Sequence, residues 1–147
     1  MKNNDTLNYL FVKVFNKILS VEEQTLKKCC SNLSVTEIHV IAACADLEKE
    51  HANTMSRVAK ELSLTTGALS VSVNAIVKKG YLERRYSEKD RRKIYVTPTS
   101  EGRKILEHHD AFHSSFISAV AENLSEEEYS LLGNSIEKII SFFEAEK

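Results

Sequence analysis

Apolar residues recur at three- and four-residue steps through most of this chain, interrupted once by a short, highly charged stretch. Leu7, Leu10, Phe11, Val14, Phe15, Ile18 and Val21 form such a stripe, predicting a first helix that runs to about Lys28. Ser34-Val35-Thr36-Glu37 has the form of a capping box, in which a serine oxygen and a glutamate three residues on each satisfy a backbone N–H. It predicts a second helix with Val35, Ile38, Ile41, Ala42 and Ala45 turned inward. Thr54 is the expected cap of a short third helix through Leu62. Thr65 or Thr66 opens a fourth, ending at Gly80, where a left-handed terminator is expected. Two short strands follow, near Tyr81–Tyr86 and Lys93–Thr97. A long helix begins at Pro98 or Thr99 and reaches about Glu122. A second capping box, Ser125-Glu126-Glu127-Glu128, starts a last helix with Leu131, Leu132, Ile136, Ile139, Ile140 and Phe143 on its apolar side. The predicted fold is mainly α with a small β-hairpin, in the order ααααββαα.

Composition narrows the class. The 147 residues, 42% hydrophobic and 28% charged, suit one folded domain with its own core. Four glycines and one proline favour helix over sheet. No run of ~18 apolar residues predicts a membrane helix, and MKNNDTLNYL lacks the cationic and apolar segments of a secretion signal. Three cysteines, two of them adjacent, do not make a disulfide framework. A cytoplasmic protein is expected. The apolar stripes of the first and last helices fit either packing on the chain's own core or a dimer interface. Stripes this wide at both ends, rich in Leu, Ile and Phe, favour the dimer.

Charge identifies the interruption. Lys78 to Lys93 carries eight Lys or Arg against three Asp or Glu, a local +5 in a chain whose net charge is -1. This stretch directly follows a helix–turn–helix spacing: Thr54–Leu62, a Ser63-Leu64 turn, then Thr65–Lys79. Ala59 is small where the two helices cross, and Leu69, Val73 and Ile76 form the buried stripe of the second. The opposite face carries Gly67, Ala68, Ser70, Val71, Asn74, Ala75 and Lys78, behind Thr65 and Thr66 at the cap. Ser70 and Asn74 suit base edges or phosphates, and Ala68 and Val71 suit thymine methyls. Lys78, Lys79 and Arg84 are expected at phosphates. The basic hairpin reads as the wing of a winged helix-turn-helix. In it, Asp90-Arg91-Arg92 offers a guanidinium to a narrow minor groove, with a carboxylate to hold it. The bland alternative, a small-residue face packed on another protein element, leaves the wing unexplained. Recognition helices of a dimer would lie ~34–36 Å apart on a pseudo-palindrome.

Ser87-Glu88-Lys89-Asp90-Arg91-Arg92 and Val96-Thr97-Pro98-Thr99-Ser100-Glu101-Gly102-Arg103 together resemble the signature of MarR-family transcriptional regulators, S-x-x-D-x-R followed by V-x-L-T-x-x-G-R. Pro98 stands where the family usually has Leu. The resemblance implies a homodimer. Residues 1–33 and 100–147 would be dimerisation helices, and 34–99 the DNA-binding lobe. It also implies that Arg92 enters the minor groove with Asp90 as its support. Many relatives carry Arg where this chain has Val71 or Ala75, so the operator is left open. Val14–Glu23, Leu33–His39, Leu64–Asn74 and His109-Asp110-Ala111-Phe112-His113 look like the fatty-acid-biosynthesis repressors within the family. That branch implies long-chain acyl-acyl carrier protein as co-regulator, with an effector pocket between the dimerisation helices and the DNA-binding lobe.

A second effector chemistry is written in the histidines. His109 and His113 share a helix face, and neutral imidazole ligates zinc. His39, Glu22 or Glu23, Glu107, His108 and Cys30 are the residues that could join them. The zinc-responsive branch of the MarR family uses a similar set. The competing reading is that these histidines are hydrogen-bonded packing residues, since no spaced metal motif accompanies them. No cofactor is otherwise expected. A thiol switch at Cys29-Cys30 is disfavoured because a helix C-terminus does not stabilise a thiolate. Cys44 reads as a small core residue. An enzyme is not expected, because no nucleophile elbow, phosphate-binding glycine loop or acid pair is present.

Overall fold

The computed structural model describes residues 4–29 and 32–145. The elements are α1 (Asn4–Leu26), α2 (Val35–Lys49), α3 (Met55–Glu61), α4 (Thr66–Lys78), β1 (Leu82–Tyr86), β2 (Ile94–Pro98), α5 (Ser100–Glu122) and α6 (Glu126–Ala145). This is the predicted order. The first helix closes two residues short of its predicted end, with residues 27–29 in a turn. The Cys29 thiol there donates to the Leu26 carbonyl at 3.2 Å.

Each start predicted from a capping residue is made as expected. The Ser34 side chain accepts from the Glu37 backbone N–H at 3.2 Å, and the Ser34 N–H donates to the Glu37 carboxylate at 2.9 Å. Thr54 and Thr65 accept from the N–H groups of Arg57 and Ala68. Ser125 and Glu128 repeat the box at α6. Gly80 takes the left-handed conformation at φ 86°. Ser63, in the turn of the helix–turn–helix, takes it too, at 54° without being glycine.

Two compact units divide the chain within α5, one up to Asp110 and one from Ala111. In the first unit, one apolar core joins the end of α1 to α2, α3, α4 and the hairpin. Leu26, Ile38, Ile41, Val58, Leu69, Val73, Ile76, Leu82 and Val96 are all essentially removed from solvent. Leu69, Val73 and Ile76 are the stripe read from sequence. The hairpin is antiparallel, from Tyr86↔Ile94 next to its turn to Leu82↔Pro98 at its base. Pro98 sits in the last pair, where a missing N–H interrupts no continuing ladder. Beside it, Gly102 lets α5 approach Tyr81 so closely that a Cβ there would lie 2.2 Å from the Tyr81 carbonyl oxygen. In the second unit, the later turns of α5 stack Phe112 on Phe116, and no residue of α6 is buried.

Candidate nucleic-acid interface

The site is built from α4 outward. With its apolar stripe sunk in the core, helical geometry turns the opposite side to solvent. Thr65, Thr66, Gly67, Ala68, Val71, Asn74, Ala75 and Lys78 are exposed, and Ser70 is half-buried. Val71 is 72% exposed, an apolar side chain held in water on a polar face. All the α4 residues expected at DNA therefore share one open side of one helix. Lys79 is different. Its ammonium donates to both carboxylate oxygens of Glu37, at 2.7 and 2.8 Å, and ties the end of α4 to the start of α2. The phosphate contact expected of Lys79 competes with this pair. Burial alone would push Glu37 up, but the Lys79 ammonium and the Ser34 donors outweigh it and hold the carboxyl below its ordinary range.

The wing follows directly. Arg84 is half-buried in β1, whereas Arg91 and Arg92 are exposed in the turn. The turn is closed by Ser87, whose N–H donates to the Lys93 carbonyl and whose hydroxyl accepts from Asp90 N–H. Asp90 Oδ1 then accepts both the backbone N–H and the Nε of Arg92, at 3.1 and 3.3 Å. The Arg92 side chain remains 93% exposed. It is steered by its neighbour while its outer nitrogens stay available, as the spacing of the two residues suggested.

A residue the sequence did not flag anchors this wing. Asn53 is 3% exposed, and its amide donates to the Val96 carbonyl at 2.9 Å and to Thr97 Oγ1 at 3.2 Å. Its own carbonyl accepts from Val96 N–H, and Thr54 bridges to Tyr95. The segment before α3 thus acts as a short third strand. Its one sequence signal is an Asn directly before a cap, which by itself reads as loop.

With this geometry in place, comparison with known proteins decides the class. Residues 21–109, more than half of the chain, match the family model described as "Transcriptional regulator SarA/Rot". The chain belongs to the SarA/Rot family of transcriptional regulators. This is a MarR-like winged-helix family, so the resemblance read from the wing signature is confirmed. The chain is 33% identical over 98 residues to the HTH-type transcriptional repressor YetL of Bacillus subtilis, a match covering 64% of this chain. It spans only 59% of YetL's length. Streptococcus pneumoniae FabT, solved in complex with DNA, superposes with a TM-score of 0.91 and 32% identity over 99% of this chain and all of that one. MepR of S. aureus, also solved with DNA, shares the fold at a TM-score of 0.77 and 20% identity, over 91% of this chain and 96% of its own. These relatives are regulators and not enzymes. Among the described residues, no helix is long and apolar enough to cross a membrane.

The SarA/Rot fold also brings together part of the predicted metal set. Glu22 is 1% exposed and its Oε1 accepts from His39 Nε2 at 2.9 Å, with His109 Nε2 at 3.3 Å. The two imidazoles meet edge to face at 5.5 Å. His113 follows one turn after His109 along α5. Of the two glutamates considered, the one facing the histidines is Glu22. Glu23 is exposed and pairs with Lys27 at 2.7 Å. Helical phase decides between the two, since adjacent residues point ~100° apart, and Glu23 drops out of the candidate ligands. Glu107 is exposed on α5. Cys30 lies outside the described residues. Cys44 is buried, and burial, with the Glu48 charge second, pushes its thiol up to about 12.

Proposed function

We propose that the protein is a homodimeric, sequence-specific DNA-binding repressor that sets α4 in the major groove and Arg92 in the minor groove of a pseudo-palindromic operator. The observation that carries this reading is the pairing of an outward polar face on α4 with a wing arginine held by Asp90. The DNA-bound crystal structure of FabT supports it. Dimerisation is supported by apolar residues left in water: Leu10, Phe11, Val14 and Phe15 on α1, and Ile136, Ile140 and Phe143 on α6. The resemblance to fatty-acid-biosynthesis repressors extends the reading to control of fatty-acid synthesis, with long-chain acyl-acyl carrier protein strengthening operator binding.

A second effector reading rests on the histidine cluster. The ligand atoms of Glu22, His39 and His109 all lie within 4.8 Å of one another. That donor set, two imidazoles and a carboxylate, fits zinc. It equally suits a hydrogen-bonded cluster without metal, in which buried Glu22 accepts from His39 at 2.9 Å with His109 Nε2 at 3.3 Å. One experiment separates these. A labelled upstream promoter fragment is titrated by fluorescence anisotropy with and without acyl-acyl carrier protein, zinc or chelator. Tighter binding with the acyl carrier alone supports the lipid reading, and a response to zinc and chelator alone supports the metal reading. Arg92→Ala is expected to weaken binding about tenfold. Retention of full affinity by that variant contradicts the minor-groove role.

A further inference from the structure

A cleft of about 500 Å³ lies between the start of α3, the first residue of α4 and the turn end of the wing. Arg57, Arg92 and Lys93 line it together with Ser56, Thr66 and Tyr95, and no Asp or Glu is among its lining residues. Arg92 already has the Asp90 carboxylate at its Nε, whereas Arg57 and Lys93 add two further cations whose mutual repulsion falls when an anion lies between them. Their frame is fixed nonetheless. The Thr54–Tyr95 bridge and the Asn53 bonds to β2 hold the α3 side of the cleft to the wing side. Arg57, Thr66 and Lys93 all reach solvent.

Position selects the anion. The cleft has the start of α4 on one side and Arg92 on the other. If α4 enters a major groove and Arg92 the adjoining minor groove, the wall between those grooves is a phosphate backbone, and it must cross this surface. We infer that the cleft seats a phosphodiester of the bound duplex, with Arg57 and Lys93 as its contacts. The inference rests on the DNA-binding reading and adds α3, the helix without a predicted DNA contact, to the interface. Such contacts position the protein without reading sequence.

The test is the salt dependence of binding to the promoter fragment and to a random duplex of equal length, with circular dichroism confirming the fold of each variant. Each neutralised phosphate contributes ~0.9 to the slope of log affinity against log salt. Arg57→Ala and Lys93→Ala should each lower that slope by about one on both duplexes. Arg57→Lys should keep it, and Lys104→Ala, a cation on α5 paired with Glu101, should leave it unchanged. Unchanged slopes in both alanine variants, with normal binding by the parent protein, overturn the inference and leave the DNA reading standing. So does a loss confined to the promoter fragment, which makes Arg57 a base reader. Failure of the parent protein to bind either duplex overturns both.

Discussion

Single residues here do work that their type alone does not announce. Gly102 has no Cβ because the Tyr81 carbonyl occupies that space, and Thr99 braces the same corner by donating from its hydroxyl to Gly80 O at 2.7 Å. Gly102→Ala forces a backbone shift at the joint between hairpin and α5. It is expected to cost about 1–3 kcal/mol, read as a lowered urea midpoint. Asn53 is comparable. A polar side chain at 3% exposure has its bonding met by the strand it positions. Arg92 works the opposite way, with one nitrogen committed and the rest free.

At the scale of elements, the joints between helices set how α4 is presented. Glu37 closes the cap of α2 and receives Lys79 from the end of α4. Its pKa is lowered in the folded chain, so its stabilisation is present above the unfolded value and is lost as pH falls through the folded one. Glu37→Gln keeps the capping geometry and removes the charge. Because Lys79 stays about one-third exposed, solvent screening limits the loss to about 1 kcal/mol at pH 7. Below about pH 4 the difference between parent and variant should shrink. Denaturant midpoints at pH 7 and pH 3 measure both. An equal difference at the two pH values would remove the ion pair from the account.

At the scale of the whole molecule, the exposed apolar stripes dominate. α1 leaves Phe15 63% exposed and α6 leaves Phe143 62% exposed, each within a row of similar residues. Burying a Phe contributes ~1.5–3 kcal/mol, so covering several at once offsets the entropic cost of association. The protein is expected to sediment at twice its 16.6 kDa chain mass. Phe15→Glu is expected to shift it toward monomer and to weaken operator binding in parallel. A monomeric parent chain, or a dimer indifferent to this charge, counts against these stripes as the interface.

Local chemistry sets the elements and the face that α4 turns outward, because caps, apolar period and turn chemistry act over a few residues. Ser34 with Glu37, Thr65, Gly80 and the Leu69–Val73–Ile76 stripe were all legible for that reason. The wing signature Asp90-Arg91-Arg92 was legible too, since the two bonded residues are neighbours in the chain. Tertiary structure alone decided what depends on distant segments meeting. Lys79 is drawn to Glu37 across 42 positions, Asn53 reaches Val96 across 43, and Glu22 rather than Glu23 faces the histidines. Arg57 gathers with Lys93 at one cleft only once α3 is pinned to the wing. Period and propensity carry no information about such pairs, whose contacts are fixed by how the helices pack.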